Sequence, residues 1–201
     1  MNPVSFFKAD KSLAGSRTLE NLTASYAAES MAYTRYNFYA AQAEKEDYFP
    51  VSAVFKETAD NEMAHGKVFF KYLQDGALIP VNLGAVAAGV ISDTSSNLKE
   101  AAREEEHEGV EAYADAARIA REEGYPVIAE HFEAIGKVEA THKARFDALR
   151  EMIDSGTLWK RDRPIKWRCM VCGYISEGTE PPKVCPGCNH PYTHAMPLEG
   201  F

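Results

Sequence analysis

Hydrophobic residues between positions 19 and 155 recur at alternating steps of three and four, which is the spacing of one face of an α-helix. Four long amphipathic segments result, and the turn-forming residues that separate or bound them are Pro50, Gly76, Gly124, Pro126 and Gly156. Each segment holds about 28 residues, so at about 1.5 Å per residue a helix would run roughly 40 Å. The pattern predicts an all-α domain built as a long four-helix bundle.

The ends of these segments carry residues typical of helix termini. Thr18 is predicted to cap the N-terminus of the first helix, and Pro50 and Pro126 suit the first turns of the second and fourth helices. Between the second and third helices, the stretch GALIPVNLGAVAAGVISD begins at Gly76. Its length predicts a crossover over about residues 76–95 rather than a tight turn.

Acidic residues interrupt the hydrophobic seam of every predicted helix. The third seam shows this most clearly and runs through Leu98, Ala101, Glu105, Glu108, Ala112, Ala116 and Ile119. The other three seams contain Glu29, Glu62 and Glu139 near their middles. Charged groups on a core-facing stripe are costly unless they are paired or bind metal, so interruptions in all four helices need a common cause.

The spacing of these acidic residues points to a metal site. Glu62-x-x-His65 and Glu139-x-x-His142 each place a carboxylate and an imidazole one turn apart on a single helix face. A lone Glu-x-x-His is common by chance, but two copies, each following a helix with a seam glutamate, indicate a repeated helix pair. One glutamate from each of two helices and one Glu-x-x-His motif from each of the other two is the ligand arrangement of ferritin-like di-iron carboxylate bundles. The candidate ligands are Glu29, Glu62, His65, Glu105, Glu108, Glu139 and His142.

Other polar residues are interpreted as lying outside the site. Those that flank the third-helix ligands off the seam, and are predicted to face solvent, are Glu104, Glu106, His107 and Glu111. The histidines that match no ligand spacing, and are predicted to lie on the surface or in loops, are His131, His190 and His194. Periodicity favours Tyr36 and Tyr113 as core aromatic residues, but their phenols would lie about two turns from ligand glutamates, so a polar role near the metals stays open.

All four cysteines lie near the C-terminus, as Cys169-x-x-Cys172 and Cys185-x-x-Cys188. Each turn can point two thiolates at one ion, and a hairpin can bring the pairs together. A reducing compartment disfavours disulfides, so we interpret the four cysteines as a metal site. Their spacing alone does not choose between zinc and iron.

Composition and charge narrow the classes of function. The 201-residue chain has 30 Asp and Glu against 22 Lys and Arg, a net charge of −8, which argues against a nucleic-acid partner. The N-terminal stretch MNPVSFFKADKSLAG lacks the pattern of a signal peptide. The longest weakly polar run, residues 77–91, is too short to span a bilayer. We therefore expect a cytoplasmic protein.

Several motifs together resemble the rubrerythrin family over nearly the whole chain, apart from a leader at residues 1–10. They are KSLAGSRTLENL, AAES, RYNFYA, ETADNEMAH, EEEHEGVEAY, ARIAREEGYP, VEATHKARF, KWRCMVCGY and CPGC. The resemblance implies a ferritin-like di-iron four-helix bundle at residues 1–160. It implies a small rubredoxin-like domain, with one iron held by four cysteines, at residues 161–201.

The resemblance also implies an activity, the reduction of hydrogen peroxide to water in defence against oxidative stress. Two irons would sit in the bundle, and the third would relay electrons to them. The implied roles are bridging for Glu62 and Glu139, terminal ligation for Glu29, Glu105 and His142, exchange at one iron on redox change for Glu108 and His65, and lining of the pocket for Tyr36 and Tyr113. The last four residues are the candidate catalytic residues.

The implied partners are an electron-donor protein, either a rubredoxin or an NAD(P)H-linked reductase, and a second copy of the chain. A head-to-tail homodimer would place the four-cysteine module of one subunit against the bundle of another. Two alternatives remain open, a ferroxidase or iron-storage protein and a bundle with a structural zinc ribbon. The CPGC sequence of the second turn, together with Trp167 and Tyr174, favours a rubredoxin-like module over a zinc ribbon.

Overall fold

A computed structural model describes residues 9, 11–74 and 87–199 of the protein. Its helices in chain order are α1 (Arg17–Lys45), α2 (Phe49–Tyr72), α3 (Thr94–Glu104), a π-helical segment (Glu105–Glu111), α4 (Ala112–Glu122) and α5 (Pro126–Asp154). Because α3, the π segment and α4 follow one another without a break, the described chain contains four long helical stretches, as predicted. None of these helices is both long and apolar enough to cross a membrane.

The start of α1 differs from the prediction. The helix begins at Arg17, and the Ser16 hydroxyl accepts a hydrogen bond of 3.0 Å from the N–H of Leu19, so Ser16 is the N-cap. Thr18 lies inside the first turn, where its N–H and hydroxyl both donate to the Glu123 carboxylate. The prediction that Thr18 caps α1 is therefore wrong.

Proline marks two other helix starts as predicted. Pro50 lies in the first turn of α2, and Pro126 is the first residue of α5, where a missing backbone N–H has no helical partner to lose. The predicted crossover lies largely outside the described residues, as does the predicted leader at residues 1–10. Residues 87–93 belong to neither a helix nor a strand, and α3 begins directly after them.

A π turn interrupts the third helical stretch, which the seam predicted as one regular α-helix. The Ala112 N–H donates to the carbonyl of His107, five residues back, where an α-helix would bond four residues back. The wider turn shifts the inward face by one position. Tyr113 is buried and Ala112 is exposed, so the predicted seam position at Ala112 is wrong.

The described residues group into two compact units, and every helical stretch contributes to both. The first unit contains the described residues up to 35, those between 58 and 90, and residues 103–143, and its core is built around the packed rings of Phe69, Tyr113 and Phe132. The second contains residues 36–57, 91–102 and 144–199. The proposed domain boundary at residue 160 stays a prediction.

The C-terminal part of the second unit is a three-stranded antiparallel sheet. Its strands are β1 (Ile165–Cys169), β2 (Ile175–Gly178) and β3 (Ala195–Pro197), in the order β2-β1-β3. Trp167 on β1 is fully buried and donates from its indole nitrogen to the carbonyl of Gly178. In the same unit, the Tyr48 ring stacks on Trp159 and the Phe49 ring stacks on His194.

Candidate metal centres

Six of the seven predicted bundle ligands converge inside the first unit. Glu29 comes from α1, Glu62 and His65 from α2, Glu105 from the start of the π segment, and Glu139 and His142 from α5. All are buried or nearly so, and His65, whose side chain is 12% exposed, is the most accessible. The ligand spacings that predicted these six residues therefore place them in one cluster.

Two carboxylates, Glu62 and Glu139, are common to both halves of the cluster. The Nδ1 atom of His65 lies 3.1 Å from Glu62 Oε2 and 2.9 Å from Glu139 Oε1. The Nδ1 atom of His142 lies 3.1 Å from Glu62 Oε1 and 2.8 Å from Glu139 Oε2. Each carboxylate thus offers one oxygen to each histidine, so two ligand sets share these two residues.

The outer member of each set is a further glutamate. Glu29 Oε2 lies 3.8 Å from the Nδ1 atom of His65, and Glu105 Oε1 lies 3.9 Å from the Nδ1 atom of His142. The ligand atoms of each set lie within 4.8 Å of one another. Glu108 follows Glu105 by three residues in the π segment, but its side chain lies outside the described part of the structure.

Buried polar atoms in the cluster test whether it fits metal ions. Glu62 Oε1, both carboxylate oxygens of Glu139 and His142 Nδ1 are buried and form no well-aligned hydrogen bond within the described residues. Leaving such atoms unpaired is costly, because each has lost its hydration. Cations placed between them would satisfy these lone pairs, and mixed carboxylate and imidazole donors suit iron, manganese or zinc. The residues present therefore fit a two-metal site.

The protonation of the metal-free cluster shows how strongly it attracts positive charge. Burial alone would lower the pKa of both histidines, but their close contacts with the Glu139 and Glu62 carboxylates raise the pKa of His65 to about 9 and that of His142 to about 10. Burial, followed by the nearby charges of Glu62 and Glu139, raises the pKa of Glu29 well above its usual value. Both histidines therefore carry protons at neutral pH, and metal binding must displace the protons on Nδ1.

The pKa of Glu62 moves the opposite way. Burial alone would raise it, but close contacts with the His142 and His65 imidazoles outweigh that effect and lower the pKa to about 2. One shared carboxylate therefore stays ionised while its histidine neighbours carry protons. The negative charge of Glu62 is therefore available to bind a metal cation without prior loss of a proton.

Two residues support the ligands from outside the sets. The Tyr113 hydroxyl donates to the Glu29 carboxylate, which places this predicted residue at the site. Burial and the Glu29 charge raise the pKa of Tyr113 well above its usual value, so the phenol keeps its proton. Asn61 Oδ1 lies 3.2 Å from His142 Nε2 and can accept a hydrogen bond from its N–H, which leaves Nδ1 to bind metal. Asn61 was not predicted, and its position beside Glu62 in sequence was the available signal.

Tyr36 has different surroundings. It is buried in the second unit, where its ring packs against Tyr39, Phe55 and Phe146. This agrees with the core position that periodicity favours. A role for Tyr36 in lining the di-iron pocket stays a prediction.

The residues that flank the third-helix ligands follow the prediction with one exception. The side chains of Glu106, His107 and Glu111 are exposed, as expected. Glu104 is buried and forms an ion pair with Arg35, so its predicted position on a solvated face is wrong. Adjacent residues of an α-helix can both turn inward, as Ala101 and Ala102 do in α3, and the ion pair with Arg35 offsets the cost of burying the Glu104 charge.

The three histidines predicted to lie outside the ligand sets join neither metal cluster in the described chain. His131 lies within α5, partly buried, with its Nδ1 atom 2.8 Å from the Tyr72 hydroxyl, so it is not a loop residue. His190 and His194 lie near the cysteine site, with ring centroids 5.0 Å apart.

The four cysteines form the second metal cluster. The Sγ atoms of Cys169 and Cys188 are 3.6 Å apart, as are those of Cys172 and Cys185, and all four lie within 4.8 Å of one another. Each pair closes with the same turn, because the N–H after the second cysteine donates to the carbonyl of the first. Gly173 and Asn189 occupy these positions with positive φ, a conformation that glycine and asparagine tolerate best.

The thiols of this cluster differ in acidity. Burial would raise the pKa of Cys169, but backbone N–H groups of Cys172 and Val171 outweigh it and lower the pKa to about 7. A backbone hydrogen bond from His190 favours the thiolate of Cys188, but desolvation and the three neighbouring sulfurs raise its pKa to about 12. Four close sulfurs cannot all ionise without a cation, so the cluster fits one bound metal.

Comparison with known proteins links both clusters to one family. A family model described as Rubrerythrin matches residues 20–150, and one described as the rubrerythrin rubredoxin-like domain matches residues 167–194. Rubrerythrin of Nitratidesulfovibrio vulgaris is 46% identical over 184 residues, which cover 92% of this chain and 95% of that protein.

Solved structures agree with this assignment of the fold. A partially reduced nigerythrin matches with a TM-score of 0.62 at 29% identity, covering 98% of this chain and 95% of that one. Bacterioferritin of Desulfovibrio desulfuricans matches with a TM-score of 0.62 at 24% identity, covering 70% and 82%, and shows likeness of fold alone. The predicted fold class, a ferritin-like four-helix bundle followed by a rubredoxin-like four-cysteine module, is confirmed.

Proposed function

The chain belongs to the rubrerythrin family, and on that premise we propose that it reduces hydrogen peroxide to water at a di-iron centre. The observation that supports this most directly is that two buried ligand sets share Glu62 and Glu139. Shared carboxylates would hold two cations side by side, which suits a two-electron reduction. The peroxide takes up two electrons and two protons and leaves as two water molecules.

In this proposal the roles of the ligands follow their place in the two sets. Glu62 and Glu139 would hold both irons as shared ligands, and Glu29, Glu105 and His142 would be terminal ligands. When bound, each iron supplies one of the two electrons that cleave the O–O bond. The protein side chains keep the site dry and hold protons near it, with the phenol proton of Tyr113 directed at Glu29.

Glu108 and His65 are proposed to exchange as ligands of one iron. Two ferrous ions bring four positive charges against the five carboxylates of the proposed set, and oxidation adds two more. A site that gains a carboxylate and releases a neutral imidazole on oxidation partly matches this rise in charge. The accessibility of His65, the highest among the six clustered ligands, is compatible with such a movement.

The four-cysteine site is proposed to hold the third iron and to relay electrons one at a time. Its donor would be a rubredoxin or an NAD(P)H-linked reductase. We further propose a head-to-tail homodimer in the cytoplasm, in which this module of one subunit serves the di-iron site of the other. A monomer that is re-reduced at full rate through its own four-cysteine iron would rule out that arrangement.

Metal analysis with visible spectroscopy tests the whole proposal. Protein purified from iron-replete cells without oxygen should contain about three irons per chain and show a red thiolate-to-iron band. Dithionite should bleach the band, and peroxide should restore it. About two irons with no red band would instead indicate a structural zinc module and would favour a ferroxidase.

The ferroxidase alternative needs only the bundle, so the full-length Cys172→Ser variant separates the two activities. We expect peroxidase turnover with an external donor to be lost, while one round of oxidation of the reduced di-iron site by peroxide remains. Unchanged peroxidase turnover would show that electrons do not pass through the cysteine site.

A further inference from the structure

We propose that Arg35 and Glu104 are positioning residues of the metal cluster, an inference that rests on the proposed di-iron function. Their buried ion pair anchors the start of the π segment, so that Glu105 stays fixed while residues later in the segment can move. Neither residue belongs to either ligand set, and neither was indicated by the helical period. Four observations in the first unit support this assignment.

The first observation is the burial of the pair. The side chains of Arg35 and Glu104 are 8% and 7% exposed, and they form a direct ion pair between α1 and the end of α3. Buried ion pairs contribute little net stability, because desolvation offsets much of the attraction, whereas loss of one partner is strongly destabilising. Such a pair is better suited to specifying an arrangement than to stabilising the fold.

The second observation is the place of the pair in the chain. Glu104 is the last residue of α3 and keeps α-helical backbone angles, with φ −69° and ψ −42°. The next residue, Glu105, is the first residue of the π segment and the ligand nearest to His142 Nδ1 after the shared carboxylates. When the ion pair holds Glu104 in place, the helix at this point cannot rotate, so the direction of the adjacent Glu105 side chain is fixed as well.

The third observation is that a second polar contact to α1 lies just beyond the other end of the segment. Tyr113, the second residue of α4, donates to Glu29 of α1. The π segment is thus bounded by two buried polar contacts to the same helix. Glu108 lies between them, which is where a ligand that exchanges would need local freedom.

The fourth observation concerns the middle of the segment. A Cβ atom added at Gly109 would lie 2.4 Å from both Cβ and Cγ of Glu139, so the π backbone rests directly on a shared ligand. Movement of the whole segment would therefore disturb both ligand sets. An anchor at Glu104 confines movement to the residues that follow it.

Metal binding by the full-length, metal-free protein tests the role of the pair. The informative variant replaces both partners with apolar side chains of similar length, Arg35→Met with Glu104→Met, because this removes the ion pair without leaving a buried charge. With one equivalent of Zn²⁺ first bound at the four-cysteine site, anaerobic titration with Co²⁺ reports the two bundle cations through visible absorption bands, and thermal unfolding of the metal-free protein reports the fold. Glu106→Gln, an exposed neighbour of Glu105, is the matched control.

We expect the double variant to unfold within a few degrees of the wild type and to bind one bundle cation about tenfold or more weakly, with an altered Co²⁺ spectrum. The control should match the wild type in all three readouts. A double variant that binds both cations with wild-type affinity and spectrum would overturn the proposal. Fewer than two bundle cations in the wild type itself would instead refute the di-iron function.

The single variant Glu104→Gln provides a second test. This substitution leaves the Arg35 charge buried without the Glu104 carboxylate. The adjacent residue in sequence, Glu105, then carries the neighbouring carboxylate. We expect Glu104→Gln to bind the affected cation more weakly than the double variant does, because a freed guanidinium competes for Glu105. Equal binding by the single variant and the wild type would contradict the assignment.

Discussion

The two metal centres are built in opposite ways. The bundle site assembles six described ligands from four helical stretches, from Glu29 on α1 to His142 on α5, and buries them together. The cysteine site uses two short turns, Cys169 to Cys172 and Cys185 to Cys188, with Cys172 still exposed. Backbone N–H groups supply part of its charge balance locally. The bundle site therefore depends on helix phase and packing, whereas the cysteine site depends mainly on its own turns.

The largest expected effect comes from removing a shared carboxylate. Glu139→Gln takes one charged ligand from both sets, so the bundle should lose both irons while the cysteine site keeps its own. We expect iron to fall to about one per chain with the red band unchanged, and peroxidase turnover to fall more than about a hundredfold. Metal analysis and a peroxide assay measure the two effects.

Glu133→Gln is the matched control for this change, because Glu133 is an exposed glutamate on the same helix that pairs with Arg121. It should keep full iron content and turnover. If Glu139→Gln also removed the red band, the two centres would not be independent.

The next effect concerns how closely the π segment packs on the ligands. Gly109→Ala places a Cβ atom where Glu139 Cβ and Cγ already lie, so we expect destabilisation by about 1–3 kcal/mol and weaker metal binding in the bundle alone. Denaturant unfolding of the metal-free protein and metal titration measure these changes.

Gly136→Ala offers a close comparison on α5. Its added Cβ would meet the Gly109 carbonyl at 3.5 Å and Tyr113 Cβ at 3.6 Å, which is ordinary contact. We expect its stability to stay within about 1 kcal/mol of the wild type, because the gain in helix propensity is of that size. Equal changes in stability for Gly109→Ala and Gly136→Ala would show that the π segment does not pack closely against Glu139.

A smaller effect depends on pH and on the absence of metal. His65 and His142 have folded-state pKa values of about 9 and about 10, above the ordinary value of 6.5. The folded protein therefore binds more protons than the unfolded chain, so the stabilisation is complete below about pH 6.5 and is lost as pH rises through 9 to 10. We therefore expect the metal-free protein to be less stable at pH 10 than at pH 7.

The variant His65→Gln with His142→Gln isolates this contribution, because the cysteine thiols titrate in the same range in both proteins. Urea unfolding at pH 7 and at pH 10 measures the difference. The double variant should lose less stability than the wild type between these two values. An identical loss in both proteins would assign the pH dependence to other groups.

The smallest expected effect comes from the phenol that contacts the bundle site. Tyr113→Phe removes the hydrogen bond to Glu29, and we expect about a tenfold loss in peroxide turnover with full iron content. Tyr125→Phe removes a phenol hydrogen bond to the Ser12 carbonyl and serves as the control. Equal turnover in Tyr113→Phe and the wild type would leave this residue without a role in the reaction.

The local spacing of residues was enough to predict most of both centres. Glu62-x-x-His65 and Glu139-x-x-His142 each place two side chains on one face of their own helix. This holds independently of the tertiary structure, since a helix turn is set by backbone geometry. The CxxC turns are local in the same sense. The helix starts at Pro50 and Pro126 followed from the fixed φ of proline and its missing N–H.

What the sequence could not predict depends on contacts between distant segments. Ser16, rather than Thr18, caps α1, and Glu123 meets the first turn from more than a hundred residues away. Regular periodicity placed Glu104 in solvent, because it contained no signal for a buried partner charge. Arg35 makes a buried Glu104 tolerable, and only the packing of α1 against α3 brings the two together.

Local spacing was therefore enough to predict the residues of the two described clusters, the four long helical stretches and the four-cysteine module, because helix turns and short loops are local structures. Packing between distant segments sets which carboxylates are shared, where the third helix widens, and which charges become buried. Those features arise from the fit between helices, where one extra residue in a turn redirects every side chain that follows.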